Sequence, residues 1–71
     1  MTYHPSDARA WALESGEPVS AHGRLSYQVV TAYLRAHPKI TRSLAAECGV
    51  DVSARGAISI ATVEELTVLV R

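Results

Sequence analysis

The chain repeats one pattern at a constant offset of 33 residues. The matched residues are Glu14 with Glu47, Gly16 with Gly49, Val19-Ser20-Ala21 with Val52-Ser53-Ala54, Gly23 with Gly56, and Ser26 with Ser59. A repeat of this length is one supersecondary unit used twice in tandem. Because a unit of about 35 residues rarely buries enough surface alone, we expect the two units to share a core.

The composition favours a small helical protein. Apolar residues make up 48% of the 71, with one Trp, three Tyr and no Phe. This mixture suits a compact core rich in Ala, Val and Leu. We therefore predict an all-α fold in which tandem duplicated helix-loop-helix units share a small core. The first unit covers residues 1–38 and the second, degenerate unit covers residues 39–71, which together form one compact domain.

Each unit contains two predicted helices, as its helix start signals indicate. The predicted helices cover residues 7–15, 27–37, 40–48 and 60–70. Ser6 is the expected N-cap of the first helix and Ser26 that of the second, because their hydroxyl oxygens can accept from free backbone N–H groups. For the fourth helix, either Ser59 is the cap or Thr62-Val63-Glu64-Glu65 forms a capping box.

Glycine and proline mark the helix ends. Gly16 and Gly49 stand where the first and third helices should stop, and Pro38 should halt the second. The last turn of the fourth helix is rich in β-branched residues, which favour helix weakly, so a frayed or strand-like end near Val68 to Arg71 is a second option. The residues expected to contribute to buried contacts are Trp11, Leu13, Val29, Val30, Tyr33, Leu44, Ile58, Val63 and Leu66.

Charge and cysteine content restrict the possible partners and sites. Seven Lys plus Arg balance seven Asp plus Glu, so the chain lacks the broad attraction that dominates non-specific nucleic-acid binding. Any polyanion must therefore be met by a local cluster. Cys48 is the single cysteine, which excludes an intrachain disulfide and a Cys-based metal site. We expect a cytoplasmic protein without an export leader or membrane span.

Catalytic and metal-binding patterns are weak in this sequence. His4, His22 and His37 lack the spacing of metal ligands, and a surface histidine accounts for each of them. The repeated serines have no paired base to activate them as nucleophiles. We therefore expect no cofactor, no metal and no enzymatic activity.

The first half resembles a known DNA-binding family. The residues Trp11-Ala12-x-x-x-Gly16-x-x-Val19-Ser20-x-x-Gly23-Arg24-Leu25 look like the C-terminal DNA-binding domain of the H-NS-like nucleoid silencers of actinobacteria. In that family the loop between two helices carries Arg-Gly-Arg and lays it in the DNA minor groove. A narrow A/T-rich groove attracts cations, and Gly lets the backbone come close. The resemblance implies that Gly23 is the central glycine and Arg24 the second cationic arm.

The chain departs from the family pattern at two positions and lacks one family domain. The first arm is His22, largely neutral at pH 7 because an unperturbed imidazole has a pKa of about 6.5, and Ser26 replaces the usual proline. The chain contains no counterpart of the family's N-terminal oligomerisation domain, so we expect only the DNA contact to carry over. The second repeat reads Arg55-Gly56-Ala57 and keeps only the first arm. The expected nucleic-acid-binding residues are Ser20, His22, Gly23, Arg24, Arg55 and Gly56.

Two function classes stay open at this point. The leading hypothesis is a small nucleoid DNA-binding protein that contacts the minor groove, with a preference for A/T-rich DNA, through the His22-Gly23-Arg24 loop. The alternative is a protein-interaction or assembly module, such as an accessory subunit of a complex or virion, that has lost DNA binding. Zero net charge favours the alternative. Residues 42–53 also resemble the start of the peripheral subunit-binding domain of 2-oxo-acid dehydrogenase acyltransferases, which binds protein.

Overall fold

The computed structural model describes residues 2–19, 23–52 and 57–71. Within these ranges the chain forms four helices and no strand: α1 (Pro5–Ser15), α2 (Tyr27–Ala36), α3 (Pro38–Cys48) and α4 (Ile60–Val70). The predicted all-α fold is therefore confirmed. The last helix continues to Val70, so the frayed or strand-like end was wrong.

Helix α1 begins earlier than the sequence suggested. Pro5 occupies its first position, where the missing N–H is not needed and the fixed φ already suits a helix. His4 is extended and its carbonyl accepts from the Asp7 N–H at 3.0 Å. Ser6 is therefore inside the helix, and its prediction as the N-cap was wrong because the proline sets the start.

Helix α3 starts in the same way. Pro38 is its first residue, with His37 as the cap and the His37 carbonyl accepting from the Thr41 N–H at 3.0 Å. The predicted start near Ile40 was two residues late. Thr41 is fully buried, and its hydroxyl lies 2.6 Å from the Leu34 carbonyl of α2. This contact joins the two helices across their very short connection.

The serine caps of α2 and α4 formed as predicted. The Ser26 hydroxyl accepts from the Val29 N–H at 3.2 Å at the start of α2. The Ser59 hydroxyl accepts from the Thr62 N–H at 3.3 Å at the start of α4. Of the two options for the fourth helix, Ser59 is therefore the cap.

The glycine ends also formed as predicted. Gly16 ends α1 and Gly49 ends α3, both in the left-handed conformation with φ of 77° and 72°. After each glycine, the next N–H donates to the carbonyl five positions back, at 2.9 Å after α1 and 2.8 Å after α3. This bond is the signature of a Schellman end, which satisfies a carbonyl that the helix leaves free.

The caps of the two halves correspond at the 33-residue offset of the repeat. His4-Pro5 matches His37-Pro38, Gly16 matches Gly49, and Ser26 matches Ser59. These correspondences support a duplicated helix-loop-helix unit. The division into units at residues 38 and 39 stays a prediction.

The core forms around α2, which packs against the other three helices. The buried hydrophobic residues are Tyr3, Ala8, Ala12, Leu25, Val29, Val30, Tyr33, Leu34, Leu44, Ala45, Val63 and Leu66. Six of the nine residues predicted to be buried are in this set, and Trp11 and Ile58 are partly buried against it.

Leu13 is the exception, with 62% of its surface exposed. Helix α1 buries only the small side chains of Ala8 and Ala12, which lie on one face because they are four residues apart. Leu13 follows Ala12 by one residue and so points about 100° away from that face. The prediction that Leu13 is buried was therefore wrong.

An aromatic cluster ties the N-terminal segment to α1 and α2. The Tyr33 ring lies 6.0 Å from the Tyr3 ring, 5.8 Å from Trp11 and 4.4 Å from His37, measured between centroids. The edge-on geometry of the first two pairs is the favoured arrangement for aromatic rings. Trp11 therefore packs in the core of the first half, as predicted.

We predict that Ser26→Ala and Ser59→Ala each lower the free energy of unfolding by about 1 kcal/mol, because each removes the oxygen that caps a helix. Urea denaturation measures this change. Ser43→Ala is the matched control, since Ser43 is exposed inside α3 and should be close to neutral. A Ser59→Ala variant as stable as the parent would remove Ser59 from its capping role.

Candidate nucleic-acid interface

The segment from Gly23 to Ser26 leads directly into α2. Gly23 and Arg24 are exposed, Leu25 is buried with 5% of its surface exposed, and Ser26 caps the helix. Gly23 has a φ of 86°, and a Cβ built on it would meet nothing within 4 Å. The backbone at Gly23 is thus open to a binding partner, while Leu25 and Ser26 fix the segment to the fold.

Two arginines hold the carbonyl groups on either side of Arg24. The Arg9 guanidinium of α1 donates to the Gly23 carbonyl. The Arg71 Nε, directly after α4, donates to the Leu25 carbonyl at 3.1 Å. Because both neighbours of Arg24 are bonded to helical parts of the fold, the backbone that carries Arg24 is held in place.

The three arginines line one surface recess of about 270 Å³, which we call the arginine recess. Its other lining residues are Tyr3, Pro5, Gly23, Leu25, Val30 and Val70. No acidic side chain lines it among the described residues. Three of the seven Lys and Arg residues of an uncharged chain therefore meet at one place.

The tyrosine in the arginine recess does not offset this charge. Burial raises the pKa of the Tyr3 phenol, the neighbouring Tyr33 raises it further, and Arg9 opposes these effects. With its pKa above the usual value of 10.0, Tyr3 is neutral at physiological pH. Arginine stays protonated throughout this range, so the recess is a cationic site.

The structure places only part of the predicted DNA-binding set. Gly23 and Arg24 stand together at the entrance to α2. The other four residues lie outside the described residues: Ser20, His22, Arg55 and Gly56. Their roles stay predictions.

The sequence analysis missed Arg9 and Arg71 as part of this site. Arg9 matches Arg42 at the offset of the repeat. This match indicates a shared position in the two units, but it does not indicate a function. Arg71 reaches Leu25 across 46 residues of sequence. No local pattern could have paired these two residues.

Other kinds of site find no support in the described part of the chain. Among its His, Cys, Asp and Glu residues, no group of three could hold a metal ion. Cys48 is a free, half-buried thiol. None of the four helices is long and apolar enough to cross a membrane.

We predict that Gly23→Ala lowers the free energy of unfolding by about 1–2 kcal/mol. The substitution creates no clash, but a Cβ disfavours the left-handed backbone by about that amount. Gly23→Asn is the matched variant and should lose less, because Asn adopts this conformation more readily. Urea denaturation of the three proteins gives the comparison, and equal losses for Ala and Asn would contradict a conformational origin.

Comparison with known protein families matches residues 2–36 to the Lsr2 DNA-binding domain. The matched segment contains α1, α2 and the loop with Gly23 and Arg24, whereas Arg71 lies beyond it. No curated protein and no solved structure matches the chain. The match is to a DNA-binding domain and not to an enzyme, and it confirms the resemblance of the first half. Residues 2–36 of this chain therefore match the Lsr2 DNA-binding domain family, and this match supports a DNA-binding protein.

Proposed function

We propose that the protein binds the minor groove of A/T-rich DNA, with Gly23 and Arg24 entering the groove. One observation carries this proposal: Arg24 is exposed between two carbonyls that Arg9 and Arg71 hold. A narrow minor groove has an enhanced negative potential that attracts an arginine side chain. The open space beside Gly23 lets the backbone approach the groove floor.

DNA affinity is favoured because the backbone around Arg24 is already ordered before DNA binds. Fixing one residue's backbone costs about 1–2 kcal/mol in conformational entropy. In this protein Leu25 is buried and Ser26 caps α2, so folding has already ordered the residues next to Arg24. DNA binding then has to order mainly the Arg24 side chain.

Further contacts are proposed for residues outside the described ranges. His22 stands where the family has its first arginine, and its protonated form would supply a second cation beside Gly23. Ser20 and Arg55, with Gly56 beside it, are proposed to lie near DNA phosphates. We infer a protein without catalytic activity that acts with DNA in the nucleoid.

One observation favours the alternative function, a protein-interaction module. Helix α4 exposes several large apolar side chains, with 49% of Ile60, 69% of Val68 and 56% of Leu69 accessible. Exposed apolar groups of this kind are found at protein interfaces. If the parent protein has no measurable DNA affinity even at low salt, this alternative replaces the proposed function.

We predict that Arg24→Ala weakens binding to an A/T-rich duplex by about 1–3 kcal/mol and abolishes the preference for A/T-rich over G/C-rich DNA. Fluorescence anisotropy with both duplexes at two salt concentrations measures both effects. Arg35→Ala is the matched control, because Arg35 is equally exposed but stands outside the arginine recess, in the last turn of α2. An Arg24→Ala protein that keeps the parent's preference would remove Arg24 from the groove.

A second prediction concerns pH. If His22 is near phosphates, DNA binding takes up a proton, and affinity should rise as pH falls from about 7.5 toward 6. His22→Arg should bind more tightly and show a flatter pH profile, whereas His22→Ala should flatten the profile without tightening. The comparison of the parent with the two variants isolates the contribution of His22. Identical profiles for the parent and His22→Ala would show that His22 takes no part.

A further inference from the structure

We propose that the arginine recess binds a backbone phosphate of the DNA, and that Arg71 thereby brings the second half of the chain into the DNA contact. This inference rests on the proposed function, because it places the phosphate beside the groove that Arg24 enters. Arg71 lies outside the segment that matches the Lsr2 DNA-binding domain. The site is therefore assembled from both halves of this chain.

Arg24 and Arg71 carry more hydrogen-bond donors than their contacts with described residues use. Arg71 donates through Nε to Leu25, and Arg9 donates through a terminal nitrogen to Gly23. Arg24 has no hydrogen-bond partner among the described residues. A guanidinium carries several N–H donors in a fixed plane and pairs with phosphate through two parallel bonds. The remaining donors of Arg24 and Arg71 suit a tetrahedral oxyanion.

Charge and shape also point to an anion of this kind. The recess is lined by three arginines and, among the described residues, by no carboxylate side chain. Its lining also includes the apolar residues Leu25, Val30 and Val70. Low-dielectric walls focus the field of nearby charges, so a bound anion is held more strongly than on a flat surface. A volume of about 270 Å³ leaves room for a phosphate group with water around it.

The position of the recess fits a phosphate at the groove edge. Arg24 belongs both to the exposed loop and to the rim of the recess. Phosphates line both edges of the minor groove, and contacts to them set the position of a protein on the duplex. With Arg24 in the groove, Arg9 and Arg71 are the neighbouring cations in the arginine recess, and we place them toward the phosphates at the groove edge.

The test measures how DNA affinity depends on salt for the parent, Arg71→Gln and Arg71→Lys. Each phosphate contact contributes about 0.9 to the slope of log affinity against log salt. Arg71→Gln should reduce the slope by about that amount on A/T-rich and G/C-rich duplexes alike and keep the A/T preference. Arg71→Lys should keep most of the slope, because it retains the charge. Lys39→Gln, which removes an exposed cation outside the recess, should leave the slope unchanged.

The lysine variant separates a phosphate contact from a purely structural role. If Arg71 only holds the Leu25 carbonyl, Arg71→Lys and Arg71→Gln should lose affinity together without a change in slope, and the inference is wrong. An Arg71→Gln slope equal to that of the parent overturns it as well. In either case the proposed function stands as long as Arg24→Ala still abolishes the A/T preference.

A titration with inorganic phosphate makes the inference testable without DNA. Amide NMR shifts of Gly23, Leu25 and Val70 should move with phosphate more than with chloride at equal ionic strength, and Arg71→Gln should suppress this movement. If the parent binds no DNA but these shifts appear, the proposed function fails and the recess is a site for free phosphate. Shifts that are absent, or equal in the parent and Arg71→Gln, overturn the recess as a phosphate site.

Discussion

The buried face of α2 is the interaction on which the rest of this structure depends. It is the one helix in the described part of the chain that packs against all three others. The face consists of Val29, Val30, Tyr33 and Leu34, all almost fully buried. Burying a side chain of this size stabilises a fold by about 1.5–3 kcal/mol, and a domain this small has few such residues to lose. The two halves of the chain therefore stabilise each other through their packing on α2.

The proposed DNA-binding site depends on the same helix. Leu25 and Ser26 anchor the loop at the start of α2, so packing of the helix sets where Gly23 and Arg24 emerge. The arginine recess adds a bond from each half, through Arg9 to Gly23 and through Arg71 to Leu25. The chain has zero net charge, yet three of its cationic side chains lie together in the arginine recess. Affinity in such a protein depends on the position of a few charges and not on their total number.

Local chemistry predicted the helix ends and the starts of α2 and α4, whereas contacts between distant residues could not be predicted from it. Gly16 and Ser26 act through neighbours a few positions away, and their roles were visible in the sequence. Ser6 was misassigned because the His-Pro pair was not weighed as a helix start. Leu13 was misplaced because the narrow alanine face of α1 leaves large residues outside. Arg71 went unnoticed because its partner is 46 residues away, and only tertiary packing brings the two together.

The proposed function places DNA at the loop before α2. Its most direct test is an amide NMR titration of the protein with an A/T-rich duplex. We expect the largest shifts on Gly23, Arg24 and Leu25, and little change at the exposed residues Ala46 and Glu47 of α3. Shifts concentrated on Val68 and Leu69, with the loop unchanged, or no shifts at low salt, would contradict the account.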